Sequence, residues 1–490
     1  MKPQRLALRL DPREAPLPGT RPVVTSAPSN SRIIALVVAA GLFMENMDQT
    51  VIATSLPPMA VDLGTDPVTL KLAFTSYLLS LAVFIPISAW TADRFGARTI
   101  FQAAMVVFTL GSIGCGLSGS LTSLVLFRML QGIGGAMMVP VARLIVLRVT
   151  PRHELLQTLT YLTVPAVIGP VIGPPLGGFI TTYWHWRWIF WINVPVCLPG
   201  LVLAYVFLPE IRSDSRDRLD WRGFALSSVA LCTLLFGITL VGRTSTSPLW
   251  TVLLLVVGAI AAWAYVRHAA RTEHPILDLR LLANPTFRSG VTGGAYFRIG
   301  IGAVPFLLPL MLQVGFGLNP FESGTLTFSA AAGAMIMKAT AQPILTRFGF
   351  RSVLVGNGVI SAVFMAATAL FTPSTPHLVI FVVLLAGGFL RSLQFTALNA
   401  ITFADIPDAS LGPATSLASV AQQLSSSIGV TLAAIVLEVA QGLHGGTALE
   451  TRDFAIGFVV LSVVSVLSVA VHAGLKPEAG NEMIARPKGS

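Results

Sequence analysis

Two carboxylates, Glu45 and Asp48, lie three residues apart in one apolar stretch of the chain, and Arg128 lies in another. At that spacing both acids share a helix face and would meet the same neighbours. Burial and mutual repulsion oppose the ionised form of at least one of them, while a guanidinium brought near favours it again. Such a set suits a group that takes up a proton and returns it as the cation approaches and withdraws. The plainer alternative is that the acids only hydrogen-bond neighbouring helices and hold them together.

The elements that position these residues follow from composition. Of 490 residues 54% are apolar and 11% charged, with a mean hydropathy of +0.76. Soluble domains carry about a quarter of their residues as charges, so lipid must be the solvent here. Apolar runs of about 20 residues, enough to cross a bilayer as helices, are predicted at 33–56, 72–92, 100–118, 122–147, 157–181, 188–208, 222–242, 249–266, 289–313, 323–345, 352–371, 378–402, 412–440 and 454–474. The chain therefore reads as an all-α polytopic membrane protein with fourteen spans. Residues 1–32 hold Pro16, Pro18, Pro22 and Pro28 with six basic residues and no apolar core, so they read as a disordered tail rather than a signal peptide. A second short tail covers 475–490.

Basic residues near helix ends resist translocation. With both termini cytoplasmic, the opposite face holds only Lys71, Arg187, Arg243 and Arg452 among its loops. The net charge of +10 is thus spread over one membrane face, where anionic lipid is the expected counter-surface and nucleic acid is not. This orientation implies an inner, cytoplasmic-type membrane. One internal echo divides the chain. Arg94-Phe95-Gly96-Ala97-Arg98 and Arg347-Phe348-Gly349-Phe350-Arg351 each follow the second helix of a set. The echo implies a six-helix bundle at 33–208, two inserted helices within 209–288, and a second six-helix bundle at 289–474. Between the inserted pair and the second bundle, 267–288 reads as an amphipathic interfacial linker.

Several function classes are excluded. No Gly-x-x-x-x-Gly-Lys-Ser/Thr stretch offers a nucleotide site for a primary pump, and no soluble signalling domain is present. Cys115, Cys197 and Cys232 sit in apolar runs, and no His pairs with another ligand at metal spacing, so neither cofactor nor metal is expected and the chain does not read as an enzyme. Arg298, Lys338 and Arg391 are expected inside second-bundle helices. With Gln313, Gln394 and Asn399 they are candidates for a substrate cavity, and three cations suit an anion better than a cationic drug. Against that, Arg298 and Lys338 can be neutralised by Glu45, Asp48 or Glu438. Trp184, Trp186, Trp188 and Trp191 read as an interfacial belt.

The stretches Ala89 to Arg98, Leu124 to Ala136 around Arg128, and Gly169-Pro170-Val171-Ile172-Gly173-Pro174-Pro175-Leu176-Gly177-Gly178 resemble loop, helix 4 and helix 5 signatures of the major facilitator superfamily. Met47 to Pro57 and Trp186 to Pro195 are similar to segments of its fourteen-helix drug/proton antiporter branch. The resemblance implies two six-helix bundles plus two inserted helices, and a proton-coupled exporter of small molecules of the multidrug kind, with an exporter of an organic anion or metal chelate such as a metal citrate as the alternative. Proton symport uptake is a more distant alternative. It also implies that Asp48, Glu45 and Arg128 couple protons, that Asp93, Arg94, Gly96 and Arg98 form a gating latch, and that Gly169, Pro170, Gly173, Pro174, Gly177 and Gly178 pack a bent helix that favours export.

Overall fold

The computed structural model describes residues 31–150, 154–212, 219–240, 248–407, 410–444 and 448–480. Nearly all of the expected amino-terminal tail, Arg243 and the end of the carboxyl-terminal tail lie outside the described residues. Among the described residues every regular element is helical. In chain order these are α1 (Ser31–Val51), α2 (Leu56–Asp62), α3 (Lys71–Phe84), α4 (Ser88–Phe95), α5 (Ala97–Leu117), α6 (Leu121–Val149), α7 (Leu155–Tyr183), α8 (Trp188–Trp191) and α9 (Asn193–Phe207). They continue with α10 (Trp221–Leu240), α11 (Pro248–Arg271), α12 (Pro285–Gly302), α13 (Val304–Leu310), α14 (Pro320–Ala367), α15 (His377–Phe403), α16 (Leu411–Leu443) and α17 (Thr451–Ala473).

Proline sets the breaks within several spans, because it removes a backbone donor and crowds the preceding turn. Pro57 and Pro58 open α2 after a tight turn at Ile52–Ser55, and Pro86 lies in the turn that joins α3 to α4. Twelve helices among the described residues are long and apolar enough to cross a membrane. Two differences separate that number from the expected fourteen. Helix α7 is 29 residues long and carries Pro165, Pro170, Pro174 and Pro175, but is not one of the twelve. The other is α14, whose 48 residues run on as one element. At 1.5 Å per residue that is about 72 Å, over twice the hydrocarbon thickness. Gly349, at φ 74° and ψ 162°, turns the chain inside it, and Gly96 makes the matching turn between α4 and α5 at φ 101°. Only glycine adopts this backbone without steric cost, which is why both copies of the Arg-Phe-Gly echo place it there.

Packing groups α1 with α7, α6 and α9, α3 with α6, and α5 with α6 and α9; it groups α12 with α15, α16 and α17, and α14 with α15 and α17. Two seams join the sets, α7 against α14 and α3 against α16. Helix α10 packs on both sides of the second seam. Phe224 meets Phe84 of α3 edge-on at 6.0 Å, and Leu235 joins Leu79, Val83 and Ile428 in one apolar cluster. Helix α11 lies outside it, with Trp250, Val256, Ile260 and Trp263 exposed as a lipid face requires. The two inserted helices therefore differ, α10 packed at the seam and α11 outside it. The linker at 272–284 is not a continuous amphipathic helix: it holds one short turn at Leu279–Ala283, capped by Asp278, with Tyr265 accepting from the Leu277 amide and donating to its carbonyl.

The two sets close tightly at the end of the bundle that carries Asp62 and Lys71. Gly178 lies against the backbone of Pro320, and Gly324 against that of Pro174. Gln313 donates to the Thr54 carbonyl at 2.8 Å, and the Phe321 amide to the Thr182 hydroxyl at 3.0 Å. Lys71, wholly buried, pairs with Glu438 at 2.9 Å. A side chain at either glycine has no room, since backbone cannot give way as a flexible side chain can. Gly324→Val is expected to hold this end open while the protein still inserts. The check is labelling of a Thr54→Cys reporter by a membrane-impermeant thiol reagent, which should rise in the valine variant.

Candidate functional site

Asp48 accepts three side-chain hydrogen bonds while wholly buried. Its Oδ2 accepts from Arg128 at 2.6 Å, and its Oδ1 from Gln131 and Asn193, each at 2.9 Å. Four helices build this network: α1 holds Asp48, α6 holds Arg128 and Gln131, α9 holds Asn193, and α5 holds Ser112, which accepts from both amides at 2.8 Å. Arg128 also donates to Gln131 at 2.6 Å and to the Ala73 carbonyl at 3.2 Å, and its guanidinium lies 4.3 Å from the centre of the Tyr77 ring. Both partners of the ion pair are about 1% exposed along their side chains. The pair is therefore fully coordinated and dry.

Glu45 differs. It is 4% exposed, its Oε1 accepts from Gln49 at 3.2 Å, and its Oε2 is buried with no partner. Asp48, Arg143 of α6 and the Tyr77 hydroxyl of α3, itself buried without a partner, stand beside it, but among the described residues none meets that oxygen at hydrogen-bond geometry. The two acids share a face as expected, yet not an environment. Burying an ionised oxygen without a partner costs several kcal/mol.

In the second set, Arg298 is 6% exposed, donates to Asn399 at 3.3 Å, and keeps its Nε unpartnered. Lys338, exposed, donates to Thr396 at 3.1 Å. Thr396 and Asn399 lie one turn apart on α15, so two cations from α12 and α14 converge on one helix face. Among the described residues neither forms an ion pair with an acid. The expected neutralising acids are largely committed elsewhere, Asp48 to Arg128 and Glu438 to Lys71. Arg391 turns back on its own helix, donating to the Gly387 carbonyl at 3.2 Å.

The profile of the Major Facilitator Superfamily matches residues 38–430 and 290–484. The chain belongs to this superfamily. It is 38% identical over 468 residues to the protein named "Putative multidrug resistance protein MdtD" of Salmonella paratyphi B, covering 94% of this chain and 98% of the relative, and equally to the protein of the same name from Salmonella typhimurium. Its fold is similar to the POT family transporter PepTSo, with a TM-score of 0.68 at 13% identity, and to the D-xylose-proton symporter, with 0.66 at 16%; each comparison covers 91% of this chain and 98% of the other.

The superfamily loop residues form two clusters at the end opposite Asp62. Asp93 pairs with Arg148 of α6 at 2.6 Å. Arg98 lies 3.5 Å from Glu210, which also accepts from Thr99 at 2.7 Å, while Arg94 stays exposed. Glu210 and Arg212 lie over Gly96, where a side chain would displace them. Along the proline-rich helix, Gly169, Gly173 and Gly177 face α1 at Phe43, Thr50 and Val51, Gly178 faces α14, and the Pro174 carbonyl accepts from Thr54 at 3.5 Å. Pro170 is partly buried in the same helix. This helix thus packs on α1 through three glycines and meets the other set closely at Gly178 and Pro174.

Other candidates divide. Asn399 is exposed beside Arg298, whereas Gln394 is spent within its own set, accepting from Asn357 and donating to the Leu354 carbonyl, both at 2.9 Å. Gln313 lies in the closed end. Trp186 is 2% exposed and donates to Asp62 at 3.0 Å, so it leaves the expected belt, while Trp184 and Trp188 remain exposed. A cavity of about 670 Å³ lies between α12, α15 and α17 near Arg288, Asp405 and Lys476, apart from all the buried charges above.

Sequence reasoning missed one relation. Arg94 and Arg347 stand 253 residues apart, as do Gly96 and Gly349, and so do Glu45 and Arg298. The register of the echo carries the unpartnered acid of α1 onto the unpartnered cation of α12. Lys71–Glu438 was also missed, because charges at helix ends look solvated.

Breaking one side of a buried pair strands the other charge, at about 3–5 kcal/mol. Arg128→Met, which strands the Asp48 carboxylate, and Asp48→Asn, which strands the Arg128 guanidinium and turns one accepting oxygen into a donor, should therefore both lower thermal stability sharply; unfolding of the purified variants checks this. In the loop before Lys71, burial raises the Asp66 carboxyl above its ordinary range, against donation from the Val68 amide. A carboxyl raised in the fold favours the folded state in acid and loses that contribution as pH climbs through its folded value. Asp66→Asn should thus gain stability over the parent as pH rises from about 4 towards 7, read from paired thermal melts.

Proposed function

We propose that this chain is a proton-coupled exporter of multidrug type that works by alternating access, with Glu45 as the group that exchanges its proton against substrate. The unpartnered, buried Oε2 of Glu45 carries the reading. A proton on that oxygen removes an uncompensated charge, and so does a substrate cation; the two compete for one site, which is the chemistry of exchange. Asp48, held by three donors, serves as the counter-ion that fixes Arg128, and both hold α1, α6 and α9 in register.

The relatives named for multidrug resistance and the superfamily fold support export of small molecules. The distribution of basic residues supports placing the Arg94 end in the cytoplasm and the Asp62 end outside, in an inner membrane, with both termini inside. The chain would cross fourteen times, counting α7 and the two limbs of α14, as two six-helix bundles flanking α10 and α11. The closed Asp62 end then corresponds to a state sealed from the outside. Asp93–Arg148 and Arg98–Glu210, both within the first set, brace its cytoplasmic end as the bundles rock, with the exposed Arg94 left to serve as the latch.

Glu45→Gln is expected to abolish ethidium export driven by an imposed pH gradient in proteoliposomes, with the protein still folded and inserted. Undiminished proton-driven export by this variant would contradict the assignment.

A further inference from the structure

We infer that the substrates this transporter holds best are zwitterions, with an ammonium group directed to Glu45 and an acidic group to Arg298 and Lys338. The inference rests on the exchange reading above and names the substrate class of that site. It begins from the shared register: Glu45 and Arg298 occupy equivalent places in α1 and α12. The chain beyond each helix meets at the closed end, where Gln313, past α13, donates to the Thr54 carbonyl in the turn after α1. Both groups lie short of that contact, towards the Arg94 end, by about 14 and 22 Å at the helical rise. Helices related by the repeat face each other across the central space of such transporters.

Each pole is incomplete. Glu45 keeps one oxygen without a donor and Arg298 keeps its Nε without an acceptor, although both are more than nine-tenths buried. A buried guanidinium whose single hydrogen bond, at 3.3 Å, goes to a neutral amide is poorly offset. Lys338 adds a second positive charge on the same face of α15, through Thr396. Around Glu45 the charged and titratable neighbours are Asp48, already paired, Arg143 and Tyr77. Beside Arg298 lies the ring of Phe395, 5.8 Å from the guanidinium, and Lys338 reaches the same helix one turn away. The unsatisfied groups are thus one negative pole in the first set and one positive pole in the second.

Singly charged ligands fit this pair badly. A simple cation satisfies Glu45 and competes with its proton, but it enters beside Arg298 and Lys338 and is repelled. A simple anion satisfies Arg298, but it binds better when Glu45 is protonated, so it would travel with the proton rather than against it. A zwitterion meets both poles. Its ammonium displaces the proton from Glu45, which keeps the exchange, while its acid group takes the open Nε of Arg298 as a charge-assisted hydrogen bond. Release on the outer side follows when a proton returns to Glu45.

The test uses the full chain in proteoliposomes with a trapped pH dye, and one rigid scaffold in three charge forms: 4-(aminomethyl)benzoate, its methyl ester as the cation, and its N-acetyl derivative as the anion. The ring fixes the spacing and prevents internal neutralisation. The zwitterion should drive proton movement at a half-saturating concentration at least tenfold below that of the ester, and the anion should drive none against the gradient. Arg298→Gln should bring the zwitterion-to-ester ratio to near one, and Arg298→Lys should keep most of it, a split that general loss of folding does not produce. Ester preference, or silence of all three while ethidium still drives protons, overturns the zwitterion inference and leaves the exporter. If ethidium is silent as well in protein shown to be folded, the exporter reading itself fails.

Discussion

The whole bundle turns on how one carboxylate is neutralised. Asp48 receives Arg128, Gln131 and Asn193 at once, and these donors come from helices remote in sequence. Their convergence ties α1 to α6 and α9 and, through Ser112, to α5. In lipid an unsatisfied charge has no water to fall back on, so this saturation fixes the geometry of the first set. It also removes Asp48 from the pool of groups free to act. What remains unbalanced one turn away is Glu45, and the functional account follows from that difference.

The seams between the two sets obey a related constraint. Glycine at 178 and 324 lets backbones touch, and the Lys71–Glu438 pair closes the same end by charge. Aromatic contacts of Phe321 with Phe179 and Tyr183 and the hydrogen bonds of Gln313 and the Phe321 amide complete the same seal. Helix α10 covers the α3–α16 seam from the lipid side, with aromatic contacts to α3 and an apolar contact to Ile428 of α16. That position gives the inserted pair a mechanical place beside a moving joint.

Much of the fold was legible because lipid imposes long apolar runs, and proline and glycine mark their breaks. The helix α7 pattern was readable for the same reason, since its small residues at four-residue spacing must face a close neighbour. The division of labour between Glu45 and Asp48 was not readable. Both acids sit on one face of α1, and only the distant positions of Gln131, Asn193 and Ser112 decide which is saturated. Asp93 was placed correctly at a helix end, but its partner Arg148 depends on how α4 lies against α6. Trp186 looked like its exposed neighbours until Asp62 supplied an acceptor. The pairing of Glu45 with Arg298 lay within reach of the Arg-Phe-Gly echo, whose register needed only to be carried back into the first helix.

The central claim is that Glu45, rather than Asp48, trades its proton for substrate. Its most direct test is the proton released when ethidium is added to the purified protein in weakly buffered detergent solution near neutral pH. The account predicts release from the parent protein and from Asp48→Asn, if that variant stays folded, and none from Glu45→Gln. Release from Glu45→Gln equal to that of the parent, with Asp48→Asn silent, would contradict it.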